Sequence, residues 1–143
     1  MAKFVLYKNE GKIYRLEAEL PPSDAYTVFE FNAENPEDLI YDGTQIRLKT
    51  QDEKLQELKA QKLSELKTYV ASLLSQTDWV IIKLQSMKEE GWSVNEIQVE
   101  VQKYQPILEK RKRIREWNKQ TEQAIQNAKT IEELEAIKIE FEG

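Results

Sequence analysis

The sequence predicts an α+β fold: a small N-terminal antiparallel β meander followed by a long-helix, coiled-coil-like helical hairpin or bundle. Two observations carry this. Residues 1–50 are rich in β-branched and aromatic residues with turn signals between short runs, whereas residues 51–143 are rich in Glu, Lys, Leu and Ile at helical spacing. Within the second region, Leu63, Leu66, Val70, Leu73, Thr77, Val80, Leu84 and Met87 follow one another at alternating steps of three and four. That is the a/d pattern of a helix with one continuous apolar seam.

In the first region, "KFVLYK" and "KIYRLEAEL" flank a turn at Gly11, and Pro21-Pro22 ends the second run. "YTVFEF" alternates, with Tyr26, Val28 and Glu30 on one face and Thr27, Phe29 and Phe31 on the other. "LIYDGTQIRLK" reads as a hairpin with a tight primed turn at Asp42-Gly43. A β unit of ~50 residues barely supports a core of its own.

Helical pattern begins after Thr50, which with Glu53 forms a capping box. The heptad phase is the same before and after "TD", so the sequence predicts one helix over about 52–90, ~58 Å long at 1.5 Å per residue. A break with Asp78 as a new N-cap is the competing reading. Gly91 ends this run, and Ser93 with Glu96 opens the next, about 94–104. There Ile97, Val99 and Val101 also alternate as in a strand. Pro106 starts or kinks a helix over about 106–129, with Ile107, Ile114, Trp117, Thr121, Ala124 and Ala128 as a second stripe. Thr130 and Glu133 cap a last helix over about 131–141, with Ile131, Leu134, Ile137 and Phe141 on one face. Short connections at "EEGWS" and "AKT" predict antiparallel neighbours. The domains are thus expected at 1–50 and 51–143.

Composition narrows the chemistry. The 143 residues contain no Cys and no His, and the net charge is −5. Disulfides, thiol catalysis, Ser-His-Asp triads and histidine metal sites are therefore excluded within the chain. The few glycines are isolated and form no phosphate-binding loop. Carboxylates abound, but no feature marks a dry pocket that would tune a pair for acid–base work. The expectation is a protein that is not an enzyme and uses no cofactor. An apolar run of three residues near the start is too short for a signal segment, and no stretch approaches the ~20 residues of a membrane span.

Two further clusters stand out. Asp78-Trp79 is either a recognition spot or a Trp packed on a neighbouring helix. "EKRKRIREW" holds Lys110, Arg111, Lys112, Arg113 and Arg115 beside Trp117. Phosphate contact is one reading, but on a helix these cations spread around the circumference, as in an ordinary solvated face. Arg111 and Arg115 lie one turn apart and could face Glu89, Glu90 or Asp78.

With these residues in view, the chain resembles small bacteriophage tail proteins of the tail-fibre assembly, or tail assembly chaperone, type. The likeness rests on the β-rich head closing in "YDGTQIRLK", on "LLSQTDWVIIKLQ" and on "EKRKRIREW" some thirty residues later, and it covers roughly residues 63–117. In such proteins a Leu-Leu-x-x-Thr-Asp-Trp/Tyr signature precedes a helix with a basic cluster. After Trp79 the family has a short acidic, proline-containing segment, where this chain continues apolar and helical. The resemblance implies a non-enzymatic protein that binds a tail or fibre subunit in the host cytoplasm during assembly, or is retained in the virion tail. The partner-binding set is then the seam, with Thr77, Asp78 and Trp79, supported by Arg111 and Arg115. A homo-oligomeric virion coiled coil carrying β heads is the alternative, and a nucleic-acid-binding module a third.

Overall fold

The computed structural model describes residues 2–143; Met1, the first residue of the expected β domain, lies outside the described residues. The fold is α+β, with antiparallel strands followed by helices. The chain divides into two compact units, Met1–Lys54 and Leu55–Gly143.

In the first unit, β1 (Ala2–Tyr7), β2 (Lys12–Arg15) and β3 (Tyr26–Phe31) form one antiparallel sheet, and β4 (Leu39–Tyr41) pairs with β5 (Ile46–Leu48) in another. The three-stranded sheet runs in the order β2-β1-β3, so β3 returns to the far side of β1 instead of continuing a meander past β2. Burial explains the order: Phe4, Val5 and Leu6 make β1 the most apolar strand, and the middle position covers both of its edges. Phe4 lies directly opposite Phe29, and their rings stack at 5.7 Å. The β4–β5 connection spans four residues, not two. The Asp42 carboxylate accepts from the Thr44 and Gln45 amides at 3.0 and 2.9 Å, and Gly43 takes φ +92°, a conformation that suits glycine. Asp42 thus builds a longer loop than the Asp-Gly pair alone suggests.

The domain boundary falls a few residues later than the composition switch. The first turn of α1 (Gln51–Ser75) is tied to the strands: Arg47 forks onto Glu53 at 2.6 and 3.0 Å, and Lys54 pairs with Asp38 at 3.0 Å. The Thr50–Glu53 capping box is present in both directions, at 3.0 and 3.1 Å. The hydrogen bonds from Arg47, and then from the Thr50 amide, hold the Glu53 carboxyl at about 2.

The second unit is a helical hairpin. Its first arm is α1 followed by α2 (Asp78–Glu89); its second arm is α3 (Val94–Lys103) followed by α4 (Gln105–Asn127). The arms run antiparallel: Lys59 reaches the Gln126 carbonyl, Tyr69 meets the Trp117 ring, Arg111 meets Leu74, and Lys83 meets Tyr104. Ser93 and Glu96 form the predicted capping box, which settles 94–103 as helix over strand. Gly91 takes φ +82° at the tip.

Two expected helices are corrected. The single helix over 52–90 is interrupted at Gln76–Thr77, with Thr77 instead of Asp78 as the cap of α2. The last helix, α5 (Ile131–Glu135), stops well short of 141. Its continuation carries Ile137, Ile139 and Phe141, a period of two, and these half-buried side chains pack on the core from an extended segment. The Phe141 amide donates to the Tyr69 hydroxyl at 3.0 Å. The Thr130 cap is as predicted, accepting from the Glu133 amide at 3.1 Å.

The core of this unit contains Leu66 and Val70 from the seam, with Leu55, Ile114, Ile125, Ala128 and Leu134. Each fully buried aliphatic side chain stabilises by about 1.5–3 kcal/mol relative to exposure.

Candidate functional site

The interruption at 76–77 is where the two motifs singled out in the sequence meet. At the end of α1 the last carbonyls have no amide partner further along the helix. Leu74 is one of them. Arg111, from α4, points its guanidinium at this end. Its Nη1 donates to the Leu74 carbonyl at 2.8 Å and the Thr77 Oγ1 at 2.9 Å, and lies 3.0 Å from the Asp78 carboxylate. Thr77 adds its own amide and hydroxyl to the same carbonyl, at 3.1 and 3.3 Å.

This accounts for the break. A cation at a helix C-terminus and an anion in the first turn of the next helix both match the helix dipoles. A side chain that enters the i→i−4 ladder is a recognised cause of a sharp interruption. Arg111 is 7% exposed, and its charge is neutralised by Asp78 and solvated by the two oxygens. The Arg111–Asp78 contact is one of the pairings expected from the sequence. Arg115 is exposed and lies one turn further along the same face of α4.

The expected partner-binding residues divide sharply. Leu66, Val70, Val80 and Met87 are buried within the chain, and Leu63, Leu73, Thr77 and Leu84 are half-buried. The seam is therefore the chain's own core, and the expectation that it serves as an open partner surface is corrected. The reason lies in the second arm, whose Ile114 and Ile125 supply the matching apolar stripe. The heptad phase still passes through the break, because 73, 77, 80, 84 and 87 keep facing inward.

Trp79 packs on a neighbour and is half open. Its ring meets Tyr104 edge-on at 5.3 Å, yet half of it, 50%, remains exposed. Tyr104 in turn accepts a hydrogen bond from Lys83 at 2.9 Å, and Lys83 pairs with Glu100 at 3.3 Å. The Tyr104 and Glu100 contacts hold the Lys83 ammonium above the ordinary lysine range. This Lys83–Glu100–Tyr104 group, which joins α2 to α3 and α4, was not read from the sequence. Its signal was the placement of Tyr104 just before Pro106, at the kink of the second arm.

Exposed apolar residues collect on the α2–α3 hairpin. Ile82 is 64% exposed, and Trp92, Val94 and Val99 are also open. None belongs to the seam, which is why an argument from the seam passed over them. Of the basic cluster, Lys110, Lys112, Arg113 and Arg115 are exposed and Arg111 is inside, so the cluster presents no single cationic face. Among the described residues no group of acidic side chains could hold a metal ion, and no helix is long and apolar enough to cross a membrane. No family model, no curated protein and no solved structure matches the chain.

Proposed function

We propose that the protein is a non-enzymatic tail-fibre accessory or assembly factor of the bacteriophage type, binding a tail or fibre subunit through apolar side chains of the α2–α3 hairpin. The observation that carries this reading is the Arg111 junction. The Thr-Asp-Trp stretch and the basic stretch, two of the three features that bear the resemblance, meet around Leu74, Thr77 and Asp78. That junction fixes the start of α2 and leaves Trp79 half in solvent. Aromatic residues held rigidly at a surface make effective interface anchors, since little side-chain freedom is lost on binding. Exposed Ile82, Trp92, Val94 and Val99 extend the apolar area on the same hairpin.

The alternative of a virion stalk built on the a/d seam requires that seam to be free, and the second arm of the hairpin occupies it. Co-expression with a bacteriophage tail-fibre subunit that is insoluble when made alone tests the proposal. The subunit should become soluble and assemble only in the presence of the chain, and Trp79→Ala with Ile82→Ser should abolish the effect while the helical content is kept. Equal assembly of the subunit without the chain would contradict it.

A further inference from the structure

The helical hairpin has two flanks, and only one is closed. Along α1 the flank one residue before the seam is covered by α5 and the segment after it: Lys62 donates to the Leu134 carbonyl at 2.6 Å, and Phe141 meets both Tyr69 and Trp117. The flank one residue after the seam is open. Its positions 67, 71, 74, 78, 81, 85 and 88 keep the same alternation of three and four through the break. Two grooves lie on it. One, of about 430 Å³, lies between α1 and α4 and is lined by Lys67, Ala71, Leu74 and Glu122 among others. The other, of about 730 Å³, lies between α2 and α3 and includes Ile81, Gln85, Lys88 and Ile97. Leu63, Leu66 and Val70 form part of the first groove, so this flank also gives access to the edge of the core.

We propose that this flank docks a second copy of the chain, giving a four-helix arrangement with a twofold axis parallel to the hairpin. The two hairpins lie with the same ends together, so α1 and α2 of one pack antiparallel against α4 and α3 of the other. Charge selects this occupant and this orientation. Lys67 and Glu122 both line the first groove and are both exposed. The twofold brings Lys67 of each copy to Glu122 of the other, giving two symmetric ion pairs. The opposite, end-to-end orientation would instead set Lys67 against Lys88, a repulsion that disfavours it. Ile81, 40% exposed, is the apolar residue the second copy covers. A bundle of four antiparallel neighbours is what a two-helix hairpin with one open flank completes by pairing.

Sedimentation equilibrium of the full chain tests the proposal, without any fibre protein present, so its outcome is independent of the assembly role. The wild type should be a dimer at tens of micromolar. Ile81→Glu should weaken the dimer by at least ~10-fold, Lys67→Glu by several-fold, and the exchange Lys67→Glu with Glu122→Lys should restore it to within ~2-fold. Ile82→Glu, on a different face, should leave it unchanged. All of these positions are exposed, and far-UV circular dichroism should match the wild type for each variant. A wild type that stays monomeric at all concentrations would overturn the proposal, even if it binds an isolated amphipathic helix. So would a dimer indifferent to Ile81→Glu, or a charge exchange that fails to restore pairing.

Discussion

The β unit and the helical unit are built on different principles. In the β unit the buried side chains are few, Phe4, Val5, Leu6 and Leu39, and local polar devices do much of the organising: the Asp42 loop, the Arg47 fork onto Glu53 and the Lys54–Asp38 pair. In the helical unit a long apolar seam meets a second stripe, and one buried cation organises the only interruption of the first arm. The contrast teaches where a single substitution acts. In the first unit the apolar residues are too few to absorb a loss; in the second, loss of a core side chain is shared by the length of the hairpin.

The largest effects should come from the two cores. Phe4→Ala should cost about 3–5 kcal/mol, a large share of what a small β unit holds, and Ile125→Ala about 2–5 kcal/mol in the helical unit. All three tryptophans, Trp79, Trp92 and Trp117, lie in the helical unit, so residue-resolved amide hydrogen exchange, read separately over the two units, distinguishes them. Phe4→Ala should abolish protection in the β unit with helical protection kept, and Ile125→Ala should lower helical protection as a whole. If Phe4→Ala removes protection from both units together, the two units are not separate in stability.

Next comes the junction. Arg111→Leu removes a charged donor from Leu74, Thr77 and Asp78 and should cost about 2–3 kcal/mol. Arg111→Lys keeps the charge but reaches fewer acceptors, and should lose roughly half of that. Equal stability of Arg111→Leu and wild type in urea titrations would remove the junction from the account.

The smallest effect is the pH dependence of the β unit. The folded Glu53 carboxyl lies at about 2, against an ordinary 4.5. Its contribution is therefore fully present above pH 4.5 and is lost as the pH falls from there towards 2. The Asp42 carboxyl is also held low, by the Gln45 and Thr44 amides first, and acts in the same direction. Glu53→Gln should flatten the acid limb of a melting curve, measured by the β signal alone. An acid limb identical to the wild type's would place the titration elsewhere.

Much of the fold was legible because periodicity is a direct record of burial. The α+β class, the capping boxes at Thr50 and Ser93, the Thr130 cap, the antiparallel arms and the inward face of Val70, Val80 and Met87 all follow from spacing and cap chemistry. Sequence periodicity does not say who covers an apolar stripe, so spacing alone suits the seam equally to a partner and to the chain's own second arm. The break at Gln76–Thr77 was masked because it leaves the phase intact; it depends on Arg111, thirty-four residues further along the chain. The tail after Glu135 is extended where spacing predicts helix: Ile137 and Phe141 satisfy a helical spacing, while Ile139 between them gives the alternation of an extended segment. Sheet order was out of reach, because pairing β3 to β1 instead of β2 is a tertiary choice made by the burial of Phe4.

The seam faces inward, and the apolar side chains left exposed on α2 lie off it. Thiol labelling tests this most directly, because the chain has no cysteine of its own. Val80 is 0% exposed and Ile82 is 64% exposed, two residues apart on one helix. Under native conditions Ile82→Cys should react like a free thiol and Val80→Cys at least ~100-fold more slowly, limited by opening of the hairpin. Equal rates at the two positions, or a faster Val80→Cys, would contradict the account.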